Sequence, residues 1–185
     1  MPLLLTTPPA GEPVSLAEAK AHLRLAIGDD DAYLSSLVTA ARRMIETRHG
    51  LALMPQAWAL FADAWPEDGV FQIPLWPVQA VDRLETFSAD DLAAPVDAAH
   101  YLLDAASRPA RVALRRERVF APPGRRINGV KLSFTAGFAT VPAEIKQALL
   151  VTVADWYQNR GDEAGGTLPA TALEALAAYR NVRLA

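Results

Sequence analysis

The chain has 185 residues, 51% apolar and 21% charged, with a net charge of -3. That suffices for one good-sized domain with an appendage, and it excludes a surface that grips nucleic acid as a whole. There is no cysteine, so disulfides, thiolate metal sites and a cysteine nucleophile are ruled out.

The first fourteen residues, rich in proline, read as an extended amino-terminal arm. No run approaches the ~20 apolar residues of a membrane span. The opening MPLLLTTPPAGEP lacks a basic n-region, so a soluble protein made inside the cell is expected. Ser15 and Glu18 are spaced as a capping box at the start of a helix over 15–25. The Asp29-Asp30-Asp31 run suits the start of a second helix, 30–49, because carboxylates are favoured at that end. Leu34, Leu37, Val38, Ala41 and Ile45 form its apolar stripe, and Gly50 closes it.

From 56 to 136 the period changes. Segments such as AWALFADAW, VFQIPL, VQAVDRLETF, HYLLDA, ARVALR and NGVKLSFTAGFA are short, apolar or alternating, and separated by Pro, Asp and Gly. They predict a β module, with Trp58, Trp65 and Trp76 available to cover a sheet face. A helix over 142–160 follows, started by Pro142 and stopped by Gly161. Ile145, Ala148, Leu149, Thr152, Val153, Trp156 and Tyr157 form its stripe. GDEAGG then reads as a linker, and the last segment of 161–185 as a short amphipathic helix with Leu173 and Leu176 on one face. The predicted class is α+β: a small helical bundle with an inserted antiparallel β module and a tethered carboxy-terminal helix.

Charge is segregated. Asp82, Glu85, Asp90, Asp91, Asp97 and Asp104 meet one base, Arg83. The next stretch reverses the sign: Arg108, Arg111, Arg115, Arg116, Arg118, Arg125, Arg126 and Lys131 face Glu117 alone. Such blocks either pair across adjacent strands, meet between identical subunits, or line a passage for nucleic acid. No helix-turn-helix or zinc-finger pattern accompanies them, so sequence-specific recognition is not expected.

Catalytic constellations are missing. Glu46 and His49 have the i,i+3 spacing of two metal ligands, yet no second pair accompanies them. Asp29 to Asp31 lack the glycine and closing glutamate of a calcium loop. Glycine-rich phosphate loops, G-x-S-x-G and H-E-x-x-H do not occur. No enzyme activity, metal or cofactor is expected, and a structural or assembly role is favoured over a nucleic-acid-binding module built on Arg108 to Lys131.

The order of five segments resembles the head-tail connector, or adaptor, proteins of long-tailed phages, prophages and gene transfer agents. These are VSLAEAKAHLRL, DDD before AARRMIE, PLWPVQAVD, RRINGVKLSFTAGF and VPAEIKQALLVTVADWYQNR. The resemblance covers roughly 13–160. It implies a virion neck protein forming a ring of about twelve copies beneath the portal, extending the DNA channel and presenting a surface to a tail-side stopper or terminator. Duplex DNA passes such a channel without sequence recognition. By the same resemblance the terminal segment would engage the portal through Leu168, Leu173, Leu176, Tyr179, Arg180 and Arg183. The basic run from Arg108 to Lys131 would serve the subunit interface or the channel lining.

Overall fold

In the computed structural model, which describes residues 1–26, 28–116, 120–159 and 167–179, the alternating VKLSFTA becomes the middle strand of a five-stranded sheet. The chain divides into two compact units, Met1–Ala10 with Pro55–Phe138 and Gly11–Met54 with Ala139–Ala185. The first holds all the strands with one 3-10 turn, Ala98–His100, and the second holds the α-helices, so the α+β class stands.

The β unit has eight strands: β1 (Leu3–Thr7), β2 (Gln56–Ala62), β3 (Val70–Ile73), β4 (Val78–Phe87), β5 (Ala93–Pro95), β6 (Tyr101–Asp104), β7 (Ala110–Leu114) and β8 (Val130–Ala136). They form two antiparallel sheets, β1-β2-β8-β4-β5 and β3-β7-β6. In β8, Val130, Leu132, Phe134 and Ala136 are fully buried on one face. Register puts Leu60 of β2 and Leu84 of β4 on either side of Leu132, one continuous apolar row across the sheet. Two bulges in β4 adjust its twist, between Val78 and Ala80 and between Val81 and Arg83. In the smaller sheet Phe71 and Ile73 lie opposite Val112 and Ala110, all buried.

All six segments that read as strands are strands. Two further strands, β1 and β5, carry no such signal. The amino-terminal arm is extended, but as β1 it pairs with β2 and belongs to the sheet. The strand of 128–139 does not close the module, as its position at the end of the β run suggests; it sits at the sheet's centre.

The helical unit holds α1 (Leu16–Leu23), α2 (Asp31–His49), α3 (Ala143–Gln158) and α4 (Ala170–Ala175), the last followed by a 3-10 turn, Ala177–Tyr179. The capping box is present: Ser15 N–H donates to Glu18 Oε2 at 2.7 Å, and Glu18 N–H to Ser15 Oγ at 3.2 Å. Gly50 ends α2 at a φ of 62°, where a side chain would be strained. Asp30 precedes α2 without capping it through its side chain. Its carboxylate instead accepts the Tyr157 hydroxyl at 2.5 Å, tying α3 to the start of α2. α3 packs on α1, α2 and α4, burying Ile145, Ala148, Leu149, Thr152, Val153 and Trp156. Gly161, expected as the stop of α3, lies outside the described residues.

The carboxy-terminal segment differs from the expected tethered helix. α4 has only six residues, and Leu168, Ala172 and Leu176 are buried within the chain's own fold. Trp156 Nε1 donates to Thr167 O at 2.8 Å and the Tyr179 hydroxyl to Glu144 Oε1 at 2.6 Å, one bond at each end of the segment. A six-residue helix has no stability of its own, so this apolar docking is what holds it.

Candidate functional site

The basic run is sorted by what each side chain touches. Lys131 faces Glu85 across β8 and β4, with Nζ 3.6 Å from Oε2. Arg111 of β7 lies opposite Asp104 of β6 and reaches it at 2.6 Å. Hydrogen bonds from Ser107, and then from Arg111, hold the Asp104 carboxyl far below the usual carboxylate range. Arg125 reaches Asp91 at 3.3 Å and lies 5.1 Å from the Phe87 ring centroid. Arg108 stacks 3.3 Å over Trp76, which also meets Phe138 edge-on at 5.2 Å. The opposite charge blocks thus meet within the chain at three pairs, Lys131–Glu85, Arg111–Asp104 and Arg125–Asp91.

Three arginines remain. Arg115, Arg116 and Arg126 are exposed and form no ion pair among the described residues. Arg115 and Arg116 follow β7 and border a shallow depression of about 520 Å³ with Trp65 and Phe120. These aromatics pack 5.0 Å apart, and the Trp65 indole donates to Ala121 O at 2.8 Å. Arg126 stands on the loop before β8. Glycine builds that loop: a Cβ on Gly124 would lie 2.4 Å from Ala89 N, and one on Gly129 2.6 Å from Arg125 O. Arg118 lies outside the described residues.

Of the residues expected to reach a portal, Leu168 and Leu176 are buried, and Leu173 and Tyr179 are half-buried. Arg180 and Arg183 lie outside the described residues. The expected core residues Val38, Ile45, Ile145, Leu149 and Trp156 are buried, while Leu37 and Tyr157 are half-buried.

Glu46 and His49 do not form a metal pair. Glu46 Oε2 accepts Arg42 Nη1 at 2.7 Å and its Oε1 the Leu53 amide at 2.9 Å, leaving the carboxylate fully engaged. No cluster of three potential ligands occurs among the described residues. Nor is any helix there long and apolar enough to cross a membrane. Arg42 also binds Glu12 at 2.6 Å, a contact across thirty positions that no local pattern announces. Burial works against the Arg42 charge, but the Glu12 hydrogen bond and both carboxylates outweigh it and raise its pKa.

Residues 13–86 match the family model described as Phage gp6-like head-tail connector protein. A search of curated protein sequences returns no match. Three solved assemblies contain chains similar to this one along its whole length. A chain from the neck of an empty gene transfer agent particle, computed with C6 symmetry, is 30% identical with a TM-score of 0.86; 100% of this chain and 98% of that one are covered. One from the virion of a native gene transfer agent particle is 28% identical, with a TM-score of 0.84 and the same coverage. One from a native particle's neck, computed with C12 symmetry, is 28% identical with a TM-score of 0.83, again over 100% and 98%. On the family-model match and on a likeness that runs the whole length of a neck chain at 30% identity, this chain belongs to the head-tail connector family of phages and gene transfer agents, a family of virion structural proteins.

Proposed function

We propose that the protein forms a twelve-membered ring beneath the portal, extends the DNA channel and hands it to a tail-side neck protein. The observation that carries this reading is the full-length similarity to a neck chain in a particle computed with C12 symmetry. Cyclic rings need two different surfaces per subunit, one meeting the other on the next copy. Within the basic run, Arg115, Arg116 and Arg126 are exposed and form no ion pair among the described residues, and these are the side chains of that run we assign to face duplex DNA. Few phosphate contacts suit a conduit, because each added one tightens binding to a strand that has to slide.

Portal contact belongs to the carboxy-terminal segment through Leu173, Arg180 and Arg183, since Leu168 and Leu176 are engaged in the subunit's own fold. Class averages of the purified, assembled chain in negative stain test the ring. Twelve-fold end views are the expected result; a different symmetry, or a chain that stays monomeric when concentrated, overturns it. Co-sedimentation with portal tests the segment: Leu173→Ala with Arg180→Ala and Arg183→Ala is expected to abolish it while leaving the ring.

A further inference from the structure

The five-stranded sheet has two edges, β1 and β5, without a strand partner among the described residues. Sheets in soluble proteins blunt such edges with charge, proline or a covering element. β1 is Leu-Leu-Leu-Thr-Thr, with no charge; Leu4 is 57% exposed, Leu5 39%, and the preceding Met1 66%. β5, Ala93–Pro95, is short and exposed throughout; its proline lacks only the N–H of the last position, and it follows Leu92, which is 69% exposed. Ile127, at 70%, stands on the glycine-built loop that Gly124 N–H fastens to Phe87 O at 3.0 Å, beside the turn into β5. Four of the seven large apolar residues exposed in the described chain, Met1, Leu4, Leu5 and Leu92, lie in or next to these two edge strands.

The backbone groups match as well. Phe61 N–H donates to Pro2 O at 2.9 Å, so the antiparallel alternation turns the N–H and C=O of Leu3 and Leu5 away from β2. On the far side, Ser88 N–H to Leu92 O at 3.0 Å and Val96 N–H to Leu84 O at 2.8 Å leave both polar groups of Ala93 and the Pro95 carbonyl pointing outward. With five strands all antiparallel, β1 and β5 run in the same direction. A neighbour related by rotation keeps that direction, so the two edges meet as a parallel pair. A two-fold contact of β1 with β1 would instead be antiparallel and would stop at a dimer.

We propose that β1 of one subunit adds to the β5 edge of the next, so that the sheets of successive copies run into one another around the ring. The occupant of each edge is thus a second copy of this chain, and the inference rests on the ring proposed above. The main-chain bonds supply the fit, and Leu4, Leu5 and Leu92 supply the apolar surface removed from water.

The absence of cysteine makes the test clean. In full-length chains carrying Leu4→Cys with Ala93→Cys, or Leu5→Cys with Ala93→Cys, mild oxidation of assembled rings is expected to give a covalent ladder beyond the dimer in at least one pairing. Each single cysteine variant is expected to stay monomeric on the same non-reducing gel. Leu4→Lys is expected to abolish assembly with no change in the monomer's thermal unfolding midpoint. Rings that form normally but give no ladder in either pairing, and that tolerate Leu4→Lys, overturn the edge pairing and leave the ring standing. Covalent dimers from Leu4→Cys alone overturn it in favour of a two-fold contact. A wild-type chain that never forms rings overturns the ring and the pairing together.

Discussion

Arg111 and Arg115 stand four positions apart in the same basic run, yet their surroundings assign them opposite tasks. Arg111 closes a hairpin through Asp104 and Ser107, whereas Arg115 points into solvent. Removing Arg115, Arg116 and Arg126 together should lower the salt dependence of duplex retention by the ring, with a slope change of about 1 for each phosphate no longer neutralised. Arg111→Ala should leave that slope unchanged and should loosen the β6-β7 hairpin instead. Retention measured across a salt series checks both; an equal effect from Arg111→Ala would show that the pairing does not sort the arginines. Trp156 marks the other kind of residue, one whose role is packing. It is 6% exposed, and its indole N–H is bound to Thr167 O. Trp156→Ala should cost about 3–5 kcal/mol and release the terminal segment with it, read as a drop in the denaturant midpoint. A variant that keeps its midpoint but fails to assemble would place Trp156 at an interface rather than in the core.

At the scale of elements, the carboxy-terminal segment is held by two end bonds and an apolar middle, and one of those bonds titrates. The Tyr179 hydroxyl, and after it the backbone at Glu144, hold the Glu144 carboxyl below its ordinary value. A carboxylate depressed in the folded chain contributes stability above its unfolded pKa and loses it as pH falls through the folded value. Exposure of residues 167–179 to hydrogen exchange should therefore rise as the pH falls through and below the ordinary carboxylate range, and Tyr179→Phe should show raised exchange already at neutral pH. The docked segment also alters the meaning of a truncation. Deleting 168–185 uncovers the face of α3 that Leu168, Ala172 and Leu176 bury, so failure of such a chain to bind portal would follow from instability as readily as from removal of the binding residues. What the sequence makes visible here is decided by period and length. VKLSFTA and the stripe from Ile145 to Trp156 repeat at two and 3.6 residues over enough positions to name their element and buried face. LLLTT and AAP do not: β1 carries no alternation and β5 is three residues long, so their strands exist only through partners fifty positions away and across a turn. The basic run is legible as a block, but its division is not, because Asp104, Asp91 and Glu85 find their arginines and lysine through register rather than proximity in sequence.

Across the whole molecule, charge and apolar surface are handled separately. The acidic and basic blocks, which would suit an electrostatic contact between subunits, are partly paired inside the chain, at Glu85, Asp91 and Asp104. The edge strands themselves, Leu3–Thr7 and Ala93–Pro95, carry no charged side chain. Ion pairs between subunits would be screened once the Debye length falls to about 3 Å in molar salt. Main-chain hydrogen bonds and apolar contacts would not weaken in that way. Raising the salt should therefore leave the ring's mass unchanged while stripping duplex DNA from it, since phosphate contacts alone carry the counterion term. Mass photometry and a DNA-retention assay on the same samples separate the two responses. A ring that falls apart in parallel with the release of DNA would return the charge blocks to the subunit interface and remove the sheet edges from it.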